Sequence, residues 1–106
     1  MPVKSTGKIE CLNPNTGSKM NIDAKIYDIF SKAIYHTITK NKQGVTFTDI
    51  VNGIKKCFKE EGTIFKGSVE WYAVTIKNDM VANHVIETFI AKGKKLHRLR
   101  STSVSG

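Results

Sequence analysis

Apolar and polar residues alternate through Lys8-Ile-Glu-Cys-Leu12 and again through Lys19-Met-Asn-Ile-Asp23, and the segment between them, Asn13-Pro-Asn-Thr-Gly-Ser18, is dense in turn formers. A period of two on either side of such a segment predicts a β-hairpin over residues 8–23. The period then lengthens. Ile26, Ile29, Phe30, Ala33, Ile34 and Ile38 recur three and four residues apart and form one broad apolar stripe, the pattern of an amphipathic helix. Asp23 is placed to cap it, because its carboxylate can accept from the orphan amides of the first turn, and Ile22 and Tyr27 occupy the two positions of a hydrophobic staple. The stripe fades at Asn41-Lys-Gln-Gly44.

Thr46-Phe-Thr-Asp49 then fits a capping box ahead of a second apolar period through Phe47, Ile50, Val51, Ile54, Cys57 and Phe58, closed by Gly62. Val45 is positioned to add a short strand before it. A third helix is expected from Ser68, its N-cap, to about Asn83-His84, with Glu70 near the positive end of the helix dipole and Asn83 taking the left-handed cap conformation. Val85–Ile90 reads as a strand, Ala91-Lys-Gly-Lys-Lys95 as a basic turn, and Leu96–Arg100 as the returning strand. Val69, Tyr72, Ala73, Ile76 and Met80 form the expected core side of the third helix.

Helix, short strand, helix, helix and a terminal two-strand wing is the order of a winged helix. Gly44-Val-Thr-Phe-Thr-Asp-Ile50 resembles the strand-and-capped-helix entry of such domains. Ile76-Lys-Asn-Asp-Met-Val-Ala-Asn-His-Val-Ile86 resembles the third helix running into the first wing strand, and Lys92-Gly-Lys-Lys95 resembles a wing tip. With Ile9-Glu-Cys-Leu-Asn-Pro-Asn-Thr16 ahead of that order, the chain is similar to a family of small uncharacterised, mostly bacterial winged-helix-like proteins. The resemblance implies an α+β fold of three helices and a C-terminal two-strand wing, preceded by a β-hairpin. It implies one winged-helix-like domain over residues 1–100, with the hairpin at 8–23 and the core at 23–100, while the polar run Ser101-Thr-Ser-Val-Ser-Gly106 reads by its composition as a flexible tail. The resemblance transfers no activity, and Asn83-His84 stands where winged helices usually carry glycine.

The chain has 106 residues, 17 Lys+Arg against 9 Asp+Glu, and a formal charge of +8. Its 40% hydrophobic and 25% charged residues argue against wholesale disorder. No apolar run approaches the ~20 residues of a membrane span, and no apolar segment follows Lys4 as a signal peptide would require. Cys11 and Cys57 match no C-x-x-C spacing, so a cytoplasmic protein with reduced thiols is expected.

Charge points to a partner. From Thr88 onward the chain carries Lys92, Lys94, Lys95, Arg98 and Arg100 and no acid, on the segment that resembles a wing. Such residues hold phosphates and release counterions, with His97 able to add charge below about pH 6.5. Opposite the core side of the third helix stand Trp71, Val74, Asn78 and Val81, flanked by Thr75 and Lys77. Of these, only Thr75, Lys77 and Asn78 suit base edges, while Glu70 and Asp79 would repel phosphate. The leading expectation is backbone-directed nucleic-acid binding, to DNA first, by a non-enzymatic protein. The alternative is an interaction or dimerisation module in which Trp71, Val74 and Val81 meet a second copy or another protein, unless the N-terminal hairpin covers them.

Other chemistry finds no constellation. His36, His84 and His97 lack metal-ligand spacing, and no histidine is indicated for either thiol. Lys66-Gly67-Ser68 lacks the glycine loop of a phosphate cradle, Glu60-Glu61 only end a helix, and Lys55, Lys56 and Lys59 form the wet face of the second helix. No cofactor, metal or membrane is expected.

Overall fold

The computed structural model describes residues 7–100, so the expected tail at 101–106 lies outside the described residues. Two short strands, β1 (Lys8–Leu12) and β2 (Lys19–Asp23), pair antiparallel with Ile9 opposite Ile22 and Cys11 opposite Met20. Three helices follow, α1 (Ala24–Lys40), α2 (Phe47–Glu61) and α3 (Val69–Ala82), and then a second antiparallel pair, β3 (Ile86–Ala91) and β4 (Lys94–Leu99). The chain is therefore α+β, with a hairpin at each end of a three-helix core.

Local chemistry sets the helix ends. Asp23 accepts from the Lys25 amide at 2.8 Å, and Ser68 accepts from the Trp71 amide at 3.1 Å. Thr46 and Asp49 form a reciprocal capping box, each side chain satisfying the other's backbone amide. Gly62 closes α2 in the left-handed conformation at φ 72°. At the end of α3 that conformation belongs to His84 (φ 64°) and not to Asn83. The Asn83 side-chain Nδ2 donates to the Asp79 carbonyl and carboxylate, both at 3.0 Å, and its backbone N–H to the same carbonyl at 2.9 Å, which keeps Asn83 near helical geometry and moves the reversal one residue on. The His84 and Val85 amides then return to the Val81 and Met80 carbonyls, a Schellman ending.

The apolar stripes meet in one core. Phe30, Ile34 and Ile38 of α1 pack with Ile50, Ile54 and Phe58 of α2 and with Ala73, Ile76 and Met80 of α3. Each large side chain buried this way contributes roughly 1.5–3 kcal/mol. Phe30 sits edge-on to Phe58 and Phe65 at 5.2 and 5.0 Å, and Phe65 does the same to Tyr72, sealing the α2–α3 connection. Helices α1 and α2 touch at Gly53, where a Cβ would come within 2.0 Å of Thr37 Oγ1. Only glycine admits that approach. Cys11 and Ile22 carry the N-terminal hairpin onto the core, and Ile86 with half-buried Leu99 carries the C-terminal one.

Between β3 and β4 the turn is only Lys92-Gly93, with φ of 53° and 77°. Positive φ at both positions makes a tight turn that follows the strand twist, so Lys94 and Lys95 lie in the strand rather than in a five-residue loop. Val45 bridges His97 on the other side of β4 through backbone bonds of 2.8 and 2.7 Å, a single-residue version of the expected short strand.

Candidate nucleic-acid interface

Successive side chains along a strand point to opposite faces. The pairing of Ile86 with Leu99, Thr88 with His97 and Ile90 with Lys95 places these six on the face turned towards the core, extended past it at the tip. Glu87, Phe89 and Ala91 pair with Arg98, Leu96 and Lys94 on the outer face. The basic residues are thus divided: Lys95 on the inner face, Lys94, Arg98 and Arg100 on the outer, Lys92 in the turn. Lys92, Lys94 and Lys95 are exposed and form no ion pair among the described residues. Arg98 is tethered, its Nε donating to the Glu87 carboxylate and its guanidinium carbon 4.3 Å from the Phe89 ring centre. The acid that engages it lies one residue before the acid-free stretch.

His97 does not join this surface. It is 2% exposed, and its ring Nδ1 lies 3.0 Å from the Val45 carbonyl, to which it donates when that nitrogen carries the proton. Nε2 is buried and has no partner among the described residues. Burial pushes the His97 pKa down, the Val45 bond opposing and Lys77 and Lys95 adding repulsion, so the ring is held neutral where a charge was expected.

The third helix departs further from expectation. Lys77 was placed to face bases but is 6% exposed, with Nζ donating to Asn78 Oδ1 at 2.8 Å and lying 5.9 Å from the Phe47 ring centre. Desolvation, with Lys95 nearby, lowers its pKa from 10.5 to about 8. Asp79 was placed to repel phosphate but is 3% exposed and turned into the protein. It accepts from the Leu12 amide at 2.9 Å, the Tyr27 hydroxyl at 2.6 Å and the Asn83 amide at 3.0 Å. Tyr27 is correspondingly pushed up by burial and by that bond, and burial with the Asp79 charge raises Cys11 to about 12. Both groups therefore stay protonated, and Cys11 is no nucleophile.

This carboxylate ties β1 across α3, and the hairpin lies along the side of the helix expected to face outward. Thr75 and Asn78 are half-buried in a groove of about 290 Å3, lined also by Trp71, Val74, Leu12, Asn13 and Met20. Thr75 and Asn78 are thereby recessed beside the N-terminal hairpin rather than presented on an open helix face. Trp71 keeps 42% exposure at its rim, whereas Val81 packs against the core and leaves the expected stripe. Among the described residues no cluster of three metal-ligating side chains occurs, and no helix is long and apolar enough to cross a membrane.

The described residues thus form an α+β protein with a hairpin at each end of a three-helix core and exposed lysines at its last turn. The chain belongs to the family of unknown function DUF6958, whose model matches residues 8–96. No curated protein and no solved structure matches it.

Proposed function

We propose that the protein is a non-enzymatic, winged-helix-like module of the cytoplasm that binds nucleic acid, DNA first, through backbone phosphates and without reading bases. The observation that carries this reading is the C-terminal turn, where Lys92, Lys94 and Lys95 crowd together, exposed and without acidic partners among the described residues. A net charge of +8 supports it through long-range attraction. The burial of Lys77 and the recessed positions of Thr75 and Asn78, half-buried beside the N-terminal hairpin, argue for backbone contact over base contact. The test is fluorescence anisotropy of a random-sequence duplex across salt concentrations. Wild type is expected to bind with a log–log slope of about −3 to −5, and changing Lys92, Lys94 and Lys95 together to Gln is expected to remove about 2.7 of that slope. An unchanged slope in the triple variant sinks the proposal.

The exposure of Trp71 beside Met20, itself 46% exposed, favours a second reading in which this groove docks another copy of the chain. Trp71 emission is then expected to shift to the blue as protein concentration rises, in step with dimer formation in sedimentation. Emission that is constant across concentration removes this reading.

A further inference from the structure

The outer face of β4 is not isolated from the helices. The α1–α2 connection folds back over it at Gly44, which has φ 111° and lies so close that a Cβ would meet Phe89 Cζ at 2.8 Å and Leu96 Cβ at 3.1 Å. The Gly44 amide closes this turn on the Asn41 carbonyl at 3.0 Å. That path brings Lys42 to Arg98 and Arg100, and the three cations line a concavity of about 300 Å3 with Ile38, Thr39 and Leu99.

We infer that this concavity is a phosphate site, taking a backbone phosphate of the nucleic acid along the outer side of the C-terminal hairpin, away from α3. The inference rests on the nucleic-acid reading above and extends it with a residue outside the basic C-terminal stretch. Arg98 is prepared for the task. Stacking on Phe89 and the Nε bond to Glu87 fix the plane of its guanidinium, and no Nη donor has a partner among the described residues. A fixed planar fork with free Nη donors suits two oxygens of one phosphate. Glu87 neutralises one charge, which leaves Lys42 and Arg100 as the net attraction. The Arg100 guanidinium lies 3.5 Å from His84 Nδ1, and no carboxylate engages it among the described residues. Lys94 lies on the same face, so the cations from Lys94 to Arg100 extend along about 20 Å of strand.

Lys42 and Arg100 are exposed, so their removal leaves the core intact, whereas Arg98 also packs on Phe89. The experiment compares the full chain with K42A/R100Q and with K56Q/K59Q, which removes two exposed charges from α2 and leaves the concavity untouched. On the random duplex, K42A/R100Q is expected to lose about 1.8 of the salt slope and about tenfold in affinity at 0.15 M salt, with the α2 variant close to wild type. Equal losses in the two variants would reduce the effect to net charge and overturn the site, leaving the wing-tip reading to its own triple variant. Titration of inorganic phosphate, followed by NMR at the Arg98 Nε–H and the Arg100 side chain, separates the two failures. Saturable shifts absent from K42A/R100Q support the site even if wild type binds no duplex, and would assign it to free phosphate groups. No shift with either probe overturns it.

Discussion

Replacing Asp79 with alanine is expected to destabilise the protein by about 2–4 kcal/mol, because donors that lose a buried acceptor cost about 1–3 kcal/mol each. The carboxylate is nearly inaccessible and accepts from β1, α1 and the end of α3 at once. Its loss would leave the half-buried Leu12 amide and Tyr27 hydroxyl without their acceptor, while exposed Asn83 would keep its bond to the residue 79 carbonyl. Asp79→Asn keeps the volume but turns two N–H donors towards groups that already donate, so it is expected to cost about 1–3 kcal/mol. Glu70→Ala, on the exposed side of the same helix and in a 3.7 Å pair with Lys55, is the comparison and should stay within about 0.5 kcal/mol. Urea unfolding measures all three. A cost below about 1 kcal/mol for Asp79→Ala would show that the hairpin does not depend on this carboxylate.

Lys77→Met is expected to stabilise the protein at pH 7 by about 2 kcal/mol. The charged amine is unfavourable where it lies: a pKa lowered from 10.5 to about 8 corresponds to about 3 kcal/mol, from which the lost bond to Asn78 and contact with Phe47 subtract. The sign follows from proton binding. Between about pH 8 and 10.5 the unfolded chain holds the Lys77 proton and the folded chain has released it, so wild-type stability rises with pH across that window. Below about pH 8 both states hold the proton and the full penalty applies. The advantage of Lys77→Met should therefore be constant below about pH 8 and shrink above it. Lys95 and His97 face the same space, and His97, with its lowered pKa, is neutral throughout this window. A gain that does not change with pH, or no gain, would contradict desolvation of the amine as its origin.

Much of the fold was legible because its signals are local. The Asp23, Thr46 and Ser68 caps, the Gly62 stop and the apolar stripes depend on neighbours within a few positions, and the structure reproduces each. The third helix was harder because its apolar and polar residues do not separate cleanly. At about 100° per residue, Asp79 falls about 20° from Tyr72 and Lys77 about 40° from Ala73, so both positions were on the core side. Their charge argued for the surface, and the partners that make burial tolerable come from far along the chain: Leu12 is 67 residues from Asp79 and Tyr27 is 52. The division of the basic residues between two faces was present in the alternation from Lys94 to Arg100, once the turn is known to end at Gly93. The approach of Lys42 was not, since it follows from the close packing of Gly44 on Phe89.

The bond from Leu12 to Asp79 also sets an order of events during synthesis. The N-terminal hairpin leaves the ribosome before α3, so the acceptor that fixes it is made 67 residues after Leu12, and a two-stranded hairpin alone is marginal in water. Its strands must wait, unprotected, until α3 has emerged and turned back on them. The hairpin is thus made before α3 but settles only with it, because the bond that fixes it closes a loop of 67 residues, far longer than any closed by a helix hydrogen bond.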